Sequence, residues 1–351
     1  MTTEVVICCG LGGTGKTTTS AALGIAYARA GRRVVVLTID PARRLADALH
    51  LPLLGGEPTR VPLSLETGSL SALMLDQKRT WDAVVRRFSA DADTAERLLA
   101  NRYYKAVSTR LTGSHEYMAI EKLAELVESR EWDVVVVDTP PTQHLLDFLD
   151  APDRILRVFD RSVLSGFTDP SGGLLGVATR KAVGLLQRVA GDAVMGDIQE
   201  FFRLISGLSG HFRERGTVVR ALLDSPRTRY LLVVNARAPE RADLEGFLAA
   251  LRERDLTLSR ILLTRVAPFP PPAQDPATLA GWLPSAPDAQ EWAAALIRFH
   301  ADAQAAALLD RQAAARLGAR AGNIPVTLVP DAPDSVRTLA GLTALSAELS
   351  L

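Results

Sequence analysis

The stretch CCGLGGTGKTTTSAALG, residues 8–24, decides the fold. Residues 10–17 within it match G-x-x-x-x-G-K-[ST], set between a β-branched run (EVVICC, 4–9) and a helical pattern (TTTSAALGIAYARA, 17–30). Each letter has a physical reason. Gly10, Gly12, Gly13 and Gly15 let backbone amides turn inward around a β-phosphate without side-chain obstruction. The helix that follows adds free N–H groups and the positive end of its dipole. Lys16 places a point charge between β- and γ-phosphates, and the Thr17 hydroxyl is a magnesium ligand. Gly10, Gly12, Gly13, Thr14, Gly15, Lys16, Thr17 and Thr18 are therefore the candidate phosphate-binding set.

Two aspartates stand at the ends of later apolar runs. RVVVLTI (33–39) leads into Asp40, and WDVVVVD (132–138) ends in Asp138. Carboxyl ends of strands are where open α/β sheets carry their chemistry. A carboxylate at 40 can orient or deprotonate an attacking water. The segment DPARRL reads equally as a helix N-terminus with proline at its first position. Asp138 is the acidic partner that holds magnesium in a phosphate-loop fold, so Thr17 and Asp138 form the candidate metal pair. Pro140 and Pro141 stiffen the turn beyond it.

Composition narrows the partners. The 40 basic and 40 acidic residues cancel, which excludes a charge-driven partnership with nucleic acid or an anionic membrane. Only five of the basic residues are lysine, so a lysine at a demanding position carries more information than an arginine. The two cysteines, Cys8 and Cys9, are adjacent in an apolar run and read as buried strand residues. No secretory leader and no uncharged run of about 20 residues is present, and a cytoplasmic protein without stable membrane insertion is expected.

Seven runs read as strands: 4–9, 33–39, 70–76, 132–138, 229–235, 260–266 and 325–329. Most are continuously apolar, the pattern of strands buried on both faces. The fold class is α/β, a mostly parallel sheet covered by helices and forming one domain over 1–351. Two long, helix-patterned, strand-poor insertions, 77–131 and 151–228, are expected to pack together as one helical subdomain beside the nucleotide site.

Taken together, GLGGTGKTT, TIDPARRLADAL, GSHEYMAIEKLAEL and DTPPTQHLLDFLDAP resemble the ArsA-type ATPases. That family includes bacterial anion-pump ATPases and the eukaryotic ATPase that targets tail-anchored membrane proteins. The resemblance covers 1–150 well, is weaker over 229–266 and 324–345, and rests on position alone across 151–228. It implies a P-loop NTPase of the SIMIBI type that uses ATP and Mg2+, working as a dimer with ATP between subunits. By this similarity the catalytic residues are Lys16 and Asp40, with Asp40 positioning water in the first switch. Asp138 holds the metal, and residues 138–148 form the second switch. Thr264, Arg265 and Pro330 approach adenine.

Four departures qualify the resemblance. The family loop reads GKGG, and its first lysine reaches across the dimer to the partner's phosphates; here that position is Leu11. Trans-acting cations are worth roughly 10³–10⁵ in rate in other phosphate-loop enzymes. Three explanations stand: pairing with a lysine-bearing paralogue, charge from Arg43 or Arg44, or slow hydrolysis in a binding switch. The preferred one is the paralogue, a heterodimer rather than a homodimer. Thr264 replaces an adenine-reading asparagine, and Gln143 replaces a switch glycine beside the matching His144. The thiolate sets that hold metalloid or a dimer-clamping zinc are missing.

The function read from these features is a dimeric switch ATPase whose helical subdomain handles a hydrophobic membrane-protein segment. With only four methionines, its groove would be lined by leucine, valine and phenylalanine. The alternatives are the ATPase subunit of an anion pump, with arsenite disfavoured, and a ParA- or MinD-like positioning ATPase. The C-terminal SVRTLAGLTALSAELSL has too little charge for a lipid anchor and reads as a helix docked on the sheet.

Overall fold

All seven apolar runs become strands, because a run that is apolar on both faces has to lie between two layers of helices. The computed structural model describes residues 2–110, 114–140, 146–151, 154, 192–238, 242–282, 288–331 and 338–349. Its strands are β1 (Glu4–Cys9), β2 (Arg33–Thr38), β3 (Thr59–Arg60), β4 (Ser69–Met74), β5 (Val134–Asp138), β6 (Thr228–Asn235), β7 (Leu258–Val266) and β8 (Val326–Pro330). They form one sheet in the order β3-β4-β2-β5-β1-β6-β7-β8. Every pairing is parallel except that of β3 with β4. β3 is absent from the sequence reading: two residues in the polar run EPTRVP are too short to show a period.

The alternation of the strands sorts the core. Val5, Ile7 and Cys9 of β1 join one apolar cluster, and Val6 and Cys8 join the other. Both faces are dry, which pushes the Cys8 thiol up to about 12 by burial and keeps it protonated and inert. The second face is covered by α1 (Lys16–Arg29), by α2 (Arg44–Ala48), and at the far end of the chain by α12 (Leu339–Glu348). In α12, Leu342 and Leu345 are buried against that cluster, and Thr338 caps the helix by accepting from the Gly341 amide at 3.0 Å.

The other face carries the first insertion as α3 (Gln77–Phe88), α4 (Ala92–Ala100), α5 (Arg102–Arg110) and α6 (Ser114–Glu128). Asp76 and Asp91 start α3 and α4 by accepting from the amides of Arg79 and Thr94 at 2.9 and 2.7 Å. From the second insertion, α7 (Asp192–Ser206) meets α4 and α5, and α8 (Ser209–Leu223) meets α6. The buried Phe212 of α8 lies edge-on to Trp81 and Tyr117, with ring centroids 5.7 and 5.6 Å apart. Arg215 of α8 reaches Glu121 of α6 at 3.0 Å. Residues 155–191, most of the glycine-rich stretch, lie outside the described residues.

Among the described residues the remaining helices are α9 (Ala242–Glu253), α10 (Pro276–Gly281) and α11 (Ala289–Arg320). The last third of α11 packs on the sheet through Ala314 and Leu317, whereas Trp292, Leu296 and Phe299 near its start, and Trp282 just before it, are exposed.

Candidate functional site

β1 ends at Cys9 and the chain turns at once. Gly10 has φ 153°, and a Cβ there would stand 2.2 Å from the Val233 carbonyl oxygen of β6, so no other residue fits. Gly15, with φ 90°, is the N-cap of α1. Between them the loop is open: a Cβ on Gly12 or Gly13 would meet nothing within 4 Å. Thr18 is half-buried on the first turn of α1. Thr14 donates to the Leu11 carbonyl at 2.9 Å, and the buried Lys16 ammonium donates to that same carbonyl at 3.0 Å. The lysine thus closes its own loop. Burial lowers its pKa, while the carboxylates of Asp138 and Asp40 pull the other way.

At the end of the neighbouring strand, Asp138 is 1% exposed. Its carboxylate accepts from Thr38 Oγ1 at 3.0 Å and Ser20 Oγ at 3.4 Å, and Thr17 also bonds to it. Burial raises its pKa to about 6; the bonds from Thr17 and Thr38, the charge of Lys16 and the bond from Ser20 restrain the rise. A buried carboxylate this strained toward neutrality, ringed by hydroxyls beside an open glycine cradle, suits a hard divalent cation. Thr38 and Ser20 were not found by sequence reading. Their signal is faint, one hydroxyl on β2 and one on the second turn of α1.

Asp40 has a different character. Its Oδ1 accepts from the Ala42 amide at 2.9 Å and its Oδ2 from Arg44 at 3.2 Å. The helix expected at DPARRL begins later, at Arg44 with Arg43 as N-cap, so Asp40 closes the turn ahead of it instead of capping it. Arg43 donates to the Pro52 carbonyl at 2.5 Å. Of the two arginines weighed as a charge source, only Arg44 stands beside Asp40.

Leu11 turns inward. It is 7% exposed and lines a cavity of about 40 Å³ with Thr14, Val234, Asn235, Ala238 and Leu244. The Leu11 side chain is thus an apolar peg in its own subunit.

Of the residues expected to approach adenine, Thr264 is buried, and its hydroxyl lies 2.7 Å from the Thr14 carbonyl and 3.1 Å from that of Val234. With one proton to give, it ties the loop to β6 and β7. Arg265 is exposed with a left-handed φ of 58°, and Pro330 pairs with Val266. Three residues missed by sequence reading join them. Asn235 lies beside Thr264 in register, Arg237 donates to the Asp331 carboxylate at 2.6 Å, and the Asp331 amide donates to Val266 at 2.9 Å. Pro141, Gln143 and His144 lie outside the described residues.

One more contact reaches the site from the helical insertion. His115, at the start of α6, bonds to the Ile39 carbonyl immediately before Asp40, at 2.9 Å.

The family model described as anion-transporting ATPase matches residues 3–268. ATPase ASNA1 homolog 1 of Paramecium tetraurelia is 30% identical over 148 residues, 41% of this chain and 42% of the relative. ATPase GET3 of Malassezia globosa is 31% identical over 147 residues, 42% of each chain. Protein SCO2128 of Streptomyces coelicolor, named as uncharacterized, is 29% identical over 259 residues, 68% of this chain and 64% of the relative. The matched segment spans less than half the length of the first two relatives.

Proposed function

The chain belongs to the anion-transporting ATPase family, and from that premise we propose that it is an ATP-binding and ATP-hydrolysing switch that works as a dimer in the cytoplasm. The observation that carries this reading is the buried Asp138, ringed by hydroxyls beside an open glycine cradle that Lys16 closes.

In this reading Gly10, Gly12, Gly13 and Gly15 present the amides that grip the phosphates, with Thr14 and Thr18 lining the turn. Lys16 leaves the Leu11 carbonyl, a bond it can exchange for one to a phosphate oxygen, and neutralises charge there. Thr17 and Asp138 hold Mg2+, which when bound neutralises developing negative charge on the phosphates. Asp40 releases its turn and orients the attacking water. Thr264, Arg265 and Pro330 form the base side; Thr264 acts by anchoring the loop, and Arg265 is free to stack on the ring.

The buried Leu11 favours the heterodimer. A leucine folded into its own subunit offers nothing to a neighbour's phosphates, so a lysine-bearing paralogue would supply the cation to this chain's site. The exposed Trp282, Trp292 and Phe299 provide apolar surface of the kind partner chains cover. The helical insertion is the part that handles a hydrophobic membrane-protein segment.

Calorimetry with ATP and magnesium tests the core of the reading. The wild type gives binding heat that requires the metal, and Lys16→Ala loses turnover by on the order of 10²–10³, the effect of removing one charge-stabilising donor. Absence of heat, or a Lys16→Ala protein that binds and turns over like the parent, overturns it. Turnover of the chain alone, then with a lysine-bearing paralogue, tests the heterodimer.

A further inference from the structure

The N-terminal ends of α3 and α6 meet the end of β2 through a small buried polar network, and its geometry fixes where the hydrogens must be. The Gln77 amide nitrogen lies 2.8 Å from the Ser108 carbonyl and 2.6 Å from Ser114 Oγ. A carbonyl can only accept, so that end of the Gln77 side chain is its NH2 group and the other end is oxygen. Ser114 Oγ also receives the Trp81 indole N–H at 3.1 Å, and Trp81, Ser108 and Ser114 are all buried.

His115 faces this network with Nδ1 3.2 Å from the Gln77 oxygen, and faces the switch strand with Nε2 2.9 Å from the Ile39 carbonyl. Both neighbours are acceptors. A neutral ring carries one N–H and leaves one of the two contacts without a hydrogen; the imidazolium satisfies both. Ile39 is in turn fixed from the other side, its amide donating to the Asp138 carbonyl at 3.0 Å. One residue thus bridges the metal-side strand and the helical insertion, directly before Asp40.

We propose that His115, as the imidazolium, is a positioning residue that latches the Asp40 strand end to the helical insertion, so that movement at the nucleotide site is passed to α3 and α6. This rests on the ATPase reading only for the source of the movement. Ionisable side chains on the elements that meet here include Asp40 and Arg44, paired with each other, Lys78 and Asp82, likewise paired, Asp76 and Arg79 at the start of α3, Arg102 and Lys105 on α5, and Glu116, Glu121 and Lys122 on α6. The latch is complete when both ring nitrogens carry a hydrogen, and loss of either proton leaves one acceptor without a donor and loosens it.

Hydrogen–deuterium exchange over residues 75–82 and 114–118, corrected for the intrinsic pH dependence of exchange, reads the latch directly. At pH 6, magnesium–ATP slows exchange there in the wild type; at pH 8 the effect falls by about ten-fold, the weight of one charge-assisted bond. His115→Leu loses the response at both pH values while still giving ATP binding heat. His115→Gln, which keeps a donor toward Ile39, restores it without pH dependence. Equal coupling at pH 6 and 8 in the wild type, or full coupling in His115→Leu, overturns the latch. If ATP gives no heat at all, the ATPase reading fails alone, and exchange of the nucleotide-free chain between pH 6 and 8 still decides the latch. Should His115→Leu not fold, ¹⁵N resonances of histidine-labelled wild type settle the point: a neutral His115 at pH 6 overturns it.

Discussion

Two carboxylates stand one strand apart at the same rim of the sheet, and the protein treats them in opposite ways. Asp138 is 1% exposed and fixed by three hydroxyls from two elements, β2 and the first two turns of α1. Asp40 is half-buried and held by contacts within four residues of itself, the Ala42 amide and Arg44. A group fixed by distant elements cannot move without disturbing the core, whereas one fixed by its own turn moves when the turn does. In the proposed reading the difference separates a preformed cation seat from a switch, and each of the following experiments either widens or erases it.

The largest effect belongs to Asp138. Its folded pKa of about 6 lies above the ordinary 3.8, so the folded chain holds this proton more tightly than the unfolded one. The stability contributed by the group is therefore complete below 3.8 and is lost as pH rises through about 6. At pH 8 the ionised, buried carboxylate costs roughly 3 kcal/mol. Asp138→Asn then stabilises the nucleotide-free protein by up to that amount at pH 8 and leaves it unchanged at pH 3.5, in denaturant melts. The same variant gains nothing from magnesium–ATP, which stabilises the wild type by mass action. A loss of stability at pH 8 would mean that the carboxylate is a structural anchor and not a seat for a cation.

A middle-sized effect is expected at Leu11. Replacing it by lysine removes an apolar side chain from its cavity, at about 1.5–3 kcal/mol. Leu11→Lys therefore lowers the melting temperature of the chain alone. A flexible lysine stem escapes to solvent, and once outside it is available to a second subunit. Homodimeric turnover then rises, which sharpens the case that the wild type depends on a partner's cation. Unchanged stability together with unchanged turnover would show that neither the burial nor the missing charge matters.

How much of this could be read beforehand follows from the range of each signal. The strands were legible because a run buried on both faces is apolar at every position, a local property that survives without knowledge of neighbours. The glycine loop was legible for the same reason: Gly10 and Gly15 answer to their own φ angles. The orientation of Leu11 was not, since it depends on Val234 and Leu244, more than 200 positions away. Thr264 was expected near the base because the resemblance puts an adenine-reading asparagine at its position; its hydroxyl is taken by a loop carbonyl 250 positions distant. His115 sat inside a quoted motif, but what makes it informative is two acceptors supplied by other elements. The turn at Asp40 shows the limit at short range: proline after aspartate fits a first helical turn or an aspartate-closed turn equally well, and the chain chose the second.

The smallest effect tests Arg44, and it bears on the question of the missing charge. Its ion pair with Asp40 has the guanidinium side 71% exposed, so Arg44→Ala changes stability by less than about 1 kcal/mol. In the arrangement seen here the guanidinium is bound to Asp40, whose charge it neutralises. An arginine so engaged is not reaching for a phosphate, and turnover of Arg44→Ala should stay within about three-fold of the parent, under 1 kcal/mol of barrier. Steady-state hydrolysis at saturating ATP measures this. A fall approaching the 10³-fold or greater effect of a charge-donating arginine would place Arg44 in the role left open by Leu11. The chain would then carry its own cation, and the argument for a lysine-bearing partner would lose its ground.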